Sequence, residues 1–208
     1  MQKTEKLKFG CYYHINNRGI NGCKLFGGRE NFEYFLELYD HYITPVADTF
    51  AWVLMPNHFH LLVRIKEENE ILSTSSDLTG FQNLSGLVKL KPPHQHFSNL
   101  FNAYTKAVNK RFLRHGALFE RPFQRKPICD TDHLKQVILY IHNNPIHHGF
   151  CEHILDYPWC SYLTCITTKP TKLHRESVIG WFVNMANFKY QHNQKIQIDK
   201  IEEWLHQT

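Results

Sequence analysis

Apolar and polar positions along the first quarter of the chain predict one strand, one helix and then a second strand. Residues 9–16 are mostly aromatic or apolar and lead into an Asn-Asn-Arg-Gly turn, which indicates a strand followed by a loop. Between Glu30 and Ile43, apolar side chains recur every three or four residues, the spacing of one helical face, and Pro45 ends this helix. Residues 46–55 are apolar on both faces, as expected for a strand that is covered on both sides.

The next predicted strand, His58–Ile65, places two histidines on the same face. Because side chains alternate along a strand, His58 and His60 point the same way. Two neighbouring imidazoles can share a divalent cation. The chain has 15 histidines, however, and a second His-x-His pair occurs at His94 and His96. The pair alone therefore leaves open both a metal site and an ordinary polar face.

Two more helices are predicted in the second half of the chain. Residues 66–98 are polar and carry serine, asparagine and a proline pair, which indicates a long excursion with little regular structure. Helical spacing resumes over 99–114, and an extended segment follows at 117–128. Residues 131–144 again have helical spacing, and Pro145 is expected to end that helix.

Tyr140 lies on the flank of this last predicted helix. At about 100° per residue, Leu134 and Ile141 fall on the apolar face, whereas Gln136, Tyr140 and Asn144 line one side. The tyrosine is therefore not needed to fill the core. Tyrosines at the rim of a core are common, so the pattern alone does not assign it a catalytic role.

Size and composition favour one main globular domain that crosses no membrane. The chain has 208 residues, of which 42% are hydrophobic, enough for a packed core. No uncharged apolar stretch reaches the roughly 18 residues of a membrane span. The N-terminal sequence also lacks the apolar block of a secretion signal. We therefore expect a cytoplasmic protein.

The six cysteines contain no Cys-x-x-Cys pair and are best interpreted as reduced thiols. An alternative is a zinc centre, although the spacings match no common zinc module. Its ligands would be Cys151, His153, Cys160 and Cys165.

Positive charge is concentrated in one window. Residues 89–126 contain nine lysines and arginines against Glu120 alone, which gives +8 for the window, whereas the whole chain carries +5. Aromatic residues are interleaved with these cations, at Phe97, Phe101, Tyr104, Phe112, Phe119 and Phe123. Phosphate neutralisation and base stacking on nucleic acid need this combination, although a solvated helix face would give the charge bias alone.

Four ordered motifs resemble the single-tyrosine HUH transposases, and most closely the REP-associated tyrosine transposases of bacteria. The first is similar to the histidine-hydrophobic-histidine strand, the second to the basic helix and the segment after it, the third to the tyrosine helix with its Asn-Pro end, and the fourth to the motif that follows. They read MPNHFHLLV, FNAYTKAVNKRFLRHGALFERPFQRKPI, YIHNNPIHHGF and YPWCSY.

This resemblance implies an α+β fold: a ferredoxin-like antiparallel sheet of about four strands with packed helices, the HUH endonuclease-type fold. The histidine strand would be central and the tyrosine helix would pack beside it. Residues 1–165 would form the transposase domain, which includes the polar excursion 66–98, and residues 166–208 a C-terminal extension.

The resemblance also implies a reaction and the residues that perform it. His58 and His60 would bind Mg²⁺ or Mn²⁺, and Tyr140 would attack single-stranded DNA to form a 5′-phosphotyrosine, so that hairpin sites are nicked and rejoined. Asn144 matches the family's third metal ligand. Because Asn144 precedes a proline, which disfavours helical geometry, Gln136 is the alternative ligand.

The implied partner is single-stranded DNA with hairpins from repeated palindromes, in a nucleoid-associated protein. We expect a monomer, with a dimer as the alternative. The candidate DNA contacts are Arg18, Lys106, Lys110, Arg111, Arg114, Arg121, Arg125 and Lys126.

Two rival interpretations remain. A domesticated protein could bind hairpin DNA without cleaving it. The histidine-triad nucleotide hydrolases need a third histidine at the next alternate position, where this chain has Leu62, so that class is disfavoured. The family's basic residues after the Asn-Pro step are also replaced, by Ile146, His147 and His148.

Overall fold

The computed structural model describes residues 5–72, 90–194, 196 and 198–206. Its strands are β1 (Tyr12–Arg18), β2 (Ala47–Met55), β3 (His58–Ile65) and β4 (Gln124–Ile128). Its helices are α1 (Arg29–Tyr42), α2 (Pro93–Arg111), α3 (Thr131–His147), α4 (Tyr162–Ile166), α5 (Arg175–Trp181), α6 (Met185–His192) and α7 (Ile198–His206). Short 3-10 helices lie at Ile20–Gly22 and Ile154–Asp156.

The four strands form one antiparallel sheet in the order β2-β3-β1-β4. With α1 between β1 and β2, and α2 between β3 and β4, this is the ferredoxin-like arrangement that was predicted. The histidine strand β3 and strand β1 are the two central strands. Their register places His60 opposite Asn16, and His58 opposite Arg18.

Each face of the sheet carries its own apolar core, as the period-two pattern of β3 requires. Helices α1 and α2 cover one face, where Phe35, Phe59 and Tyr104 are buried. Helix α3 covers the other face, where Leu62 and Val137 are buried. The two histidines of β3 share that second face, so the fold directs them towards α3.

Helix α2 differs from its predicted bounds at both ends. It begins at Pro93 and not at residue 99, because a proline fits the first turn, where its missing N–H is not needed. It ends at Arg111, so Arg114 lies beyond the helix and does not extend the basic stripe of Lys106 and Lys110. Of the predicted excursion 66–98, residues 73–89 lie outside the described residues.

Helix α3 runs three residues further than predicted, through Pro145 to His147. Proline removes one helical hydrogen bond, but in the last turn this loss does not stop the helix. Asp130 caps the first turn, where its side chain accepts a hydrogen bond from the backbone N–H of His133 at 2.8 Å. The continuous helix keeps Asn144 one turn after Tyr140.

The C-terminal part of the chain packs on the same core as α3. Val178 and Phe188 are fully buried there, and Ile201 of α7 is also buried. The division at residue 165 stays a prediction. None of the helices in the described ranges combines the length and the apolar character that a membrane span requires.

The cysteines give no support to a zinc centre. All six are free thiols, and Cys160 and Cys165 are buried. Across the described residues, no group of three or more histidine, cysteine or acidic side chains is arranged to hold a metal ion.

Candidate active site

The fold brings the histidine pair and the tyrosine together. His58 and His60 project from β3 towards α3, with their ring centroids 5.2 Å apart. The ring of Tyr140 meets His60 edge to face, with centroids also 5.2 Å apart. These contacts join two segments that are far apart in sequence. They also correct the expectation that Tyr140 lies at the rim, because it is only 4% exposed.

His58 is held in the neutral form. Its Nδ1 donates a hydrogen bond to Oδ1 of Asn57 at 2.7 Å, so Nε2 carries the lone pair. Burial, with help from the nearby charges of His148 and Arg18, lowers the pKa of His58 to about 4. A neutral imidazole with an oriented lone pair is the form that binds a metal ion.

His14 of β1 is a site residue that the sequence analysis missed. It is 1% exposed, and its Nε2 lies 3.0 Å from Nδ1 of His60 with the two rings stacked. One of these nitrogens must donate to the other. If Nδ1 of His60 is the donor, its Nε2 carries the lone pair that coordination of a cation requires. Alternation along β1 could have placed His14 on this face, once the pairing of β1 with β3 was known.

Asn144, and not Gln136, lies beside the histidines. Asn144 is fully buried, and its Nδ2 donates weakly to the backbone oxygen of Tyr140 at 3.4 Å. Its Oδ1 is buried and accepts no hydrogen bond from a described residue. The same side chain is close enough to His58 and Tyr140 to shift the pKa of each. Gln136 is exposed, and its side chain bonds to none of the described residues.

These donors fit a small divalent cation. Two imidazoles and one amide oxygen would suit Mn²⁺ better than Mg²⁺, which prefers oxygen ligands, and would leave coordination positions for phosphate oxygens and water. A buried amide oxygen without a hydrogen bond is costly by itself, and a cation would satisfy it. Within the described ranges, no three histidine, cysteine or acidic side chains are arranged to hold a metal ion. A metal site at the histidine pair would therefore need the amide oxygen of Asn144 as well.

Helix α7 covers the hydroxyl of Tyr140. The hydroxyl donates a hydrogen bond to Oε1 of Glu202 at 3.3 Å. Burial raises the pKa of Tyr140 to about 12; Asn144 opposes this rise, and the charge of Glu202 adds to it. Trp204 of α7 stacks on His133, with ring centroids 4.6 Å apart, and lies 5.4 Å from Nζ of Lys126. No sequence signal linked Glu202 to Tyr140, because they are 62 positions apart.

The predicted DNA contacts lie on different parts of the surface. Lys106, Lys110 and Arg111 are exposed on α2, and Arg111 forms an ion pair with Glu30 at 2.8 Å. Near the histidines, Arg18 lies beside Glu120 at 3.4 Å, and Lys126 is on β4. Of the remaining predicted DNA contacts, Arg114 follows α2, whereas Arg121 and Arg125 line a cavity.

Burial changes the prediction that the interleaved aromatics form an open surface for base stacking: Phe101, Phe119 and Phe123 present only the part of each ring that lines a cavity. Phe97, Phe101, Tyr104, Phe119 and Phe123 are all less than 8% exposed and belong to the core under α2. Their spacing with the lysines and arginines reflects an amphipathic helix and the segment packed on it. Phe112 alone among the six is exposed, because it lies past the last turn of α2.

Comparison with known proteins gives two matches. No protein-family model matches the chain. A Haemophilus influenzae protein named as a REP-associated tyrosine transposase is 26% identical over 115 residues, which are 55% of this chain and 58% of the relative. The match therefore covers less than two thirds of that relative's length.

A solved structure of a REP-associated tyrosine transposase bound to a REP hairpin also matches. It covers 82% of this chain and 88% of its own, with a TM-score of 0.57 and 15% sequence identity. At that identity the likeness concerns the fold. Together, the two matches confirm that this chain resembles the REP-associated tyrosine transposases, as its sequence motifs indicated.

Proposed function

We propose that the chain is a transposase that cleaves and rejoins single-stranded DNA beside hairpins. The observation that carries this proposal is the contact between Tyr140 and His60, with His58 and Asn144 next to them. A tyrosine packed on a histidine pair in a ferredoxin-like sheet supplies a nucleophile and a metal site in one place. The solved relative that shares this fold is bound to a REP hairpin, which supports hairpin DNA as the substrate.

In this proposal His58, His60 and Asn144 hold Mg²⁺ or Mn²⁺. When bound, the cation withdraws charge from the non-bridging oxygens of the scissile phosphate and so favours attack on phosphorus. His14 does not bind the cation itself. Its contact with His60 fixes the orientation of the His60 ring. These four side chains are held by β1, β3 and α3, so their geometry does not depend on a loop.

Tyr140 is the proposed nucleophile. The phenol loses its proton as its oxygen bonds to phosphorus, the bond to the 3′ oxygen of the preceding nucleotide breaks, and that oxygen takes up a proton and leaves as a 3′-hydroxyl. The downstream DNA stays attached as a 5′-phosphotyrosine. Attack by another 3′-hydroxyl reverses the step and joins a new strand, so the energy of the phosphodiester is conserved.

The covering helix has to move before this reaction. A phosphodiester cannot reach the hydroxyl of Tyr140 while Glu202 accepts its hydrogen bond, and the carboxylate also repels the phosphate. The described conformation therefore represents a closed state. Because the histidine pair and the tyrosine come from one chain, action as a monomer is the simplest arrangement.

The alternative function is hairpin binding without cleavage, in a domesticated protein. The burial of Tyr140, which raises its pKa, favours this alternative, since a phenol that stays covered and protonated does not attack phosphorus. The two functions make opposite predictions about covalent chemistry. Only the transposase links DNA to the protein.

End-labelled DNA separates the two functions. Hairpin oligonucleotides with single-stranded flanks are incubated with the protein and Mn²⁺ and then run on a denaturing gel. A transposase retains the 3′ label on the protein and releases the 5′ label, because the adduct holds the downstream fragment. Tyr140→Phe is the matched control, and it should bind the hairpin but form no adduct. A binder retains neither label.

A further inference from the structure

A half-open cavity of about 500 Å³ lies between α2 and residues 117–125, on the sheet face opposite Tyr140. Its walls are apolar and include Phe101, Phe119 and Phe123. Asn102 and Arg121 stand at its polar side, where the guanidinium of Arg121 donates to Oδ1 of Asn102 at 3.3 Å. A volume of this size falls within the range of small-ligand sites, about 300–1,000 Å³.

Arg125 is the unusual member of this cavity. Its guanidinium lies over the ring of Phe123, 4.0 Å from the centroid. Its Nε is buried and has no hydrogen-bond partner within the described ranges, and no ion pair joins the side chain to a described carboxylate. The guanidinium is therefore available to an anion that enters the cavity.

A second cavity, of about 420 Å³ beside β2, differs in this respect. The acidic groups that line it are already neutralised, because Asp40 pairs with Lys172 at 2.7 Å and Asp48 pairs with Arg64 at 2.6 Å. An unsatisfied charge is thus found in the α2 cavity and not in this one.

We propose that the α2 cavity holds one unpaired nucleotide of the single strand that flanks the hairpin. The apolar wall would receive the face or edge of the base, Asn102 would contact its polar edge, and Arg125 and Arg121 would contact the phosphate. A paired base cannot enter a half-enclosed cavity, so the site selects unpaired DNA. This inference rests on the proposed function, since it assumes that DNA is the substrate.

The cavity is connected to the candidate active site through β1. The backbone N–H of Glu120 bonds to the oxygen of Arg18 at 2.9 Å, and Phe119 pairs with Gly19. Arg18 is in turn opposite His58 in the sheet. The wall of the cavity and the histidine pair therefore lie at the same end of the sheet, so a nucleotide held here would fix the position of the strand relative to Tyr140.

The test measures how much each flanking base contributes to binding. Full-length Tyr140→Phe protein, which does not consume DNA, is titrated with a fluorescein-labelled hairpin that has oligothymidine flanks. In a matched series, one thymidine at a time is replaced by an abasic site. We expect one position at which loss of the base raises the Kd about 5- to 100-fold, the effect of losing one stacked base.

Two further variants assign that position to the cavity. Ala117 is exposed at the cavity mouth, so Ala117→Trp fills the space without disturbing the core. Combined with Tyr140→Phe, Ala117→Trp should remove the penalty at that position, because the filled cavity no longer receives the base. Lys110→Gln, on the exposed side of α2, is the control: it should weaken binding to every DNA by the same factor and keep the penalty.

The pocket proposal is overturned if no position shows a penalty, or if the penalty survives Ala117→Trp. Adduct formation with the parent protein is scored separately on the same DNA. If the parent protein forms the adduct but no position shows a penalty, only the proposal for the α2 cavity is wrong. If Ala117→Trp removes a penalty but the parent protein forms no adduct, the proposal for the α2 cavity is supported and the transposase proposal is wrong.

Discussion

Two buried histidines join α3 to the C-terminal helices, and they make stability depend on pH. Nδ1 of His192 donates to the oxygen of Phe188 at 2.7 Å, so its Nε2 accepts from Nδ1 of His142 at 2.9 Å. Nε2 of His142 then accepts from the hydroxyl of Ser161 at 2.8 Å, and the N–H of Trp52 donates to the same hydroxyl. Each ring is neutral in this chain of bonds, and an added proton would place two donors face to face.

Burial lowers the pKa of His192 to about 4 and the pKa of His142 well below its ordinary value of 6.5. A histidine with a lowered folded-state pKa stabilises the fold above pH 6.5, and this stability is lost as the pH falls towards 4. A tenfold change in the proton affinity of one group corresponds to about 1.4 kcal/mol. Through His192 alone, the change from about pH 7 to about pH 5 lowers the free energy of unfolding by about 2 kcal/mol.

Urea unfolding, followed by tryptophan fluorescence across this pH range, measures the effect. His192→Gln should be less stable than the parent at pH 7, but its stability should fall less on acidification, by about 2 kcal/mol. His153→Gln, at an exposed position, is the control and should keep the parent's slope. Equal slopes for the parent and His192→Gln would refute the neutral hydrogen-bond chain.

Four substitutions test the arrangement around the histidine pair. Glu202→Gln removes the charge that faces the hydroxyl of Tyr140 and should speed adduct formation roughly fivefold, for a partly exposed contact worth about 1 kcal/mol; an unchanged or slower rate would contradict the covering role of α7. His14→Ala should weaken Mn²⁺ binding, measured by calorimetry without DNA, by about 10- to 100-fold; unaltered affinity would remove His14 from the site. Asn144→Ala should weaken the same binding whereas Gln136→Ala should not, and the reverse result would exchange their roles.

Local patterns predicted the strands that carry the site. The bounds of β3 were correct because Pro56 and Asn57 interrupt the chain just before a clear period-two pattern begins at His58. The pattern of β3 also fixed which of its residues share a face. The order of strands and helices completed the ferredoxin-like arrangement, as the resemblance implied.

Other features depend on contacts between distant segments, which a local pattern does not contain. The contact of His14 with His60 arises from the pairing of β1 with β3. The burial of Tyr140 comes from Glu202 and its helix, so a residue that helical projection places on a flank is covered in the fold. Arg114 was predicted on α2 because the spacing of cations continues past Arg111, although the helix does not.

The position at which DNA is joined to the protein tests directly whether Tyr140 is the nucleophile. The adduct formed with hairpin DNA and Mn²⁺ is digested with nuclease and trypsin, and the modified peptide is sequenced by mass spectrometry. We expect a nucleotide joined through its 5′-phosphate to Tyr140. Attachment at a different residue, or no attachment in the parent protein or in Glu202→Gln, would contradict it.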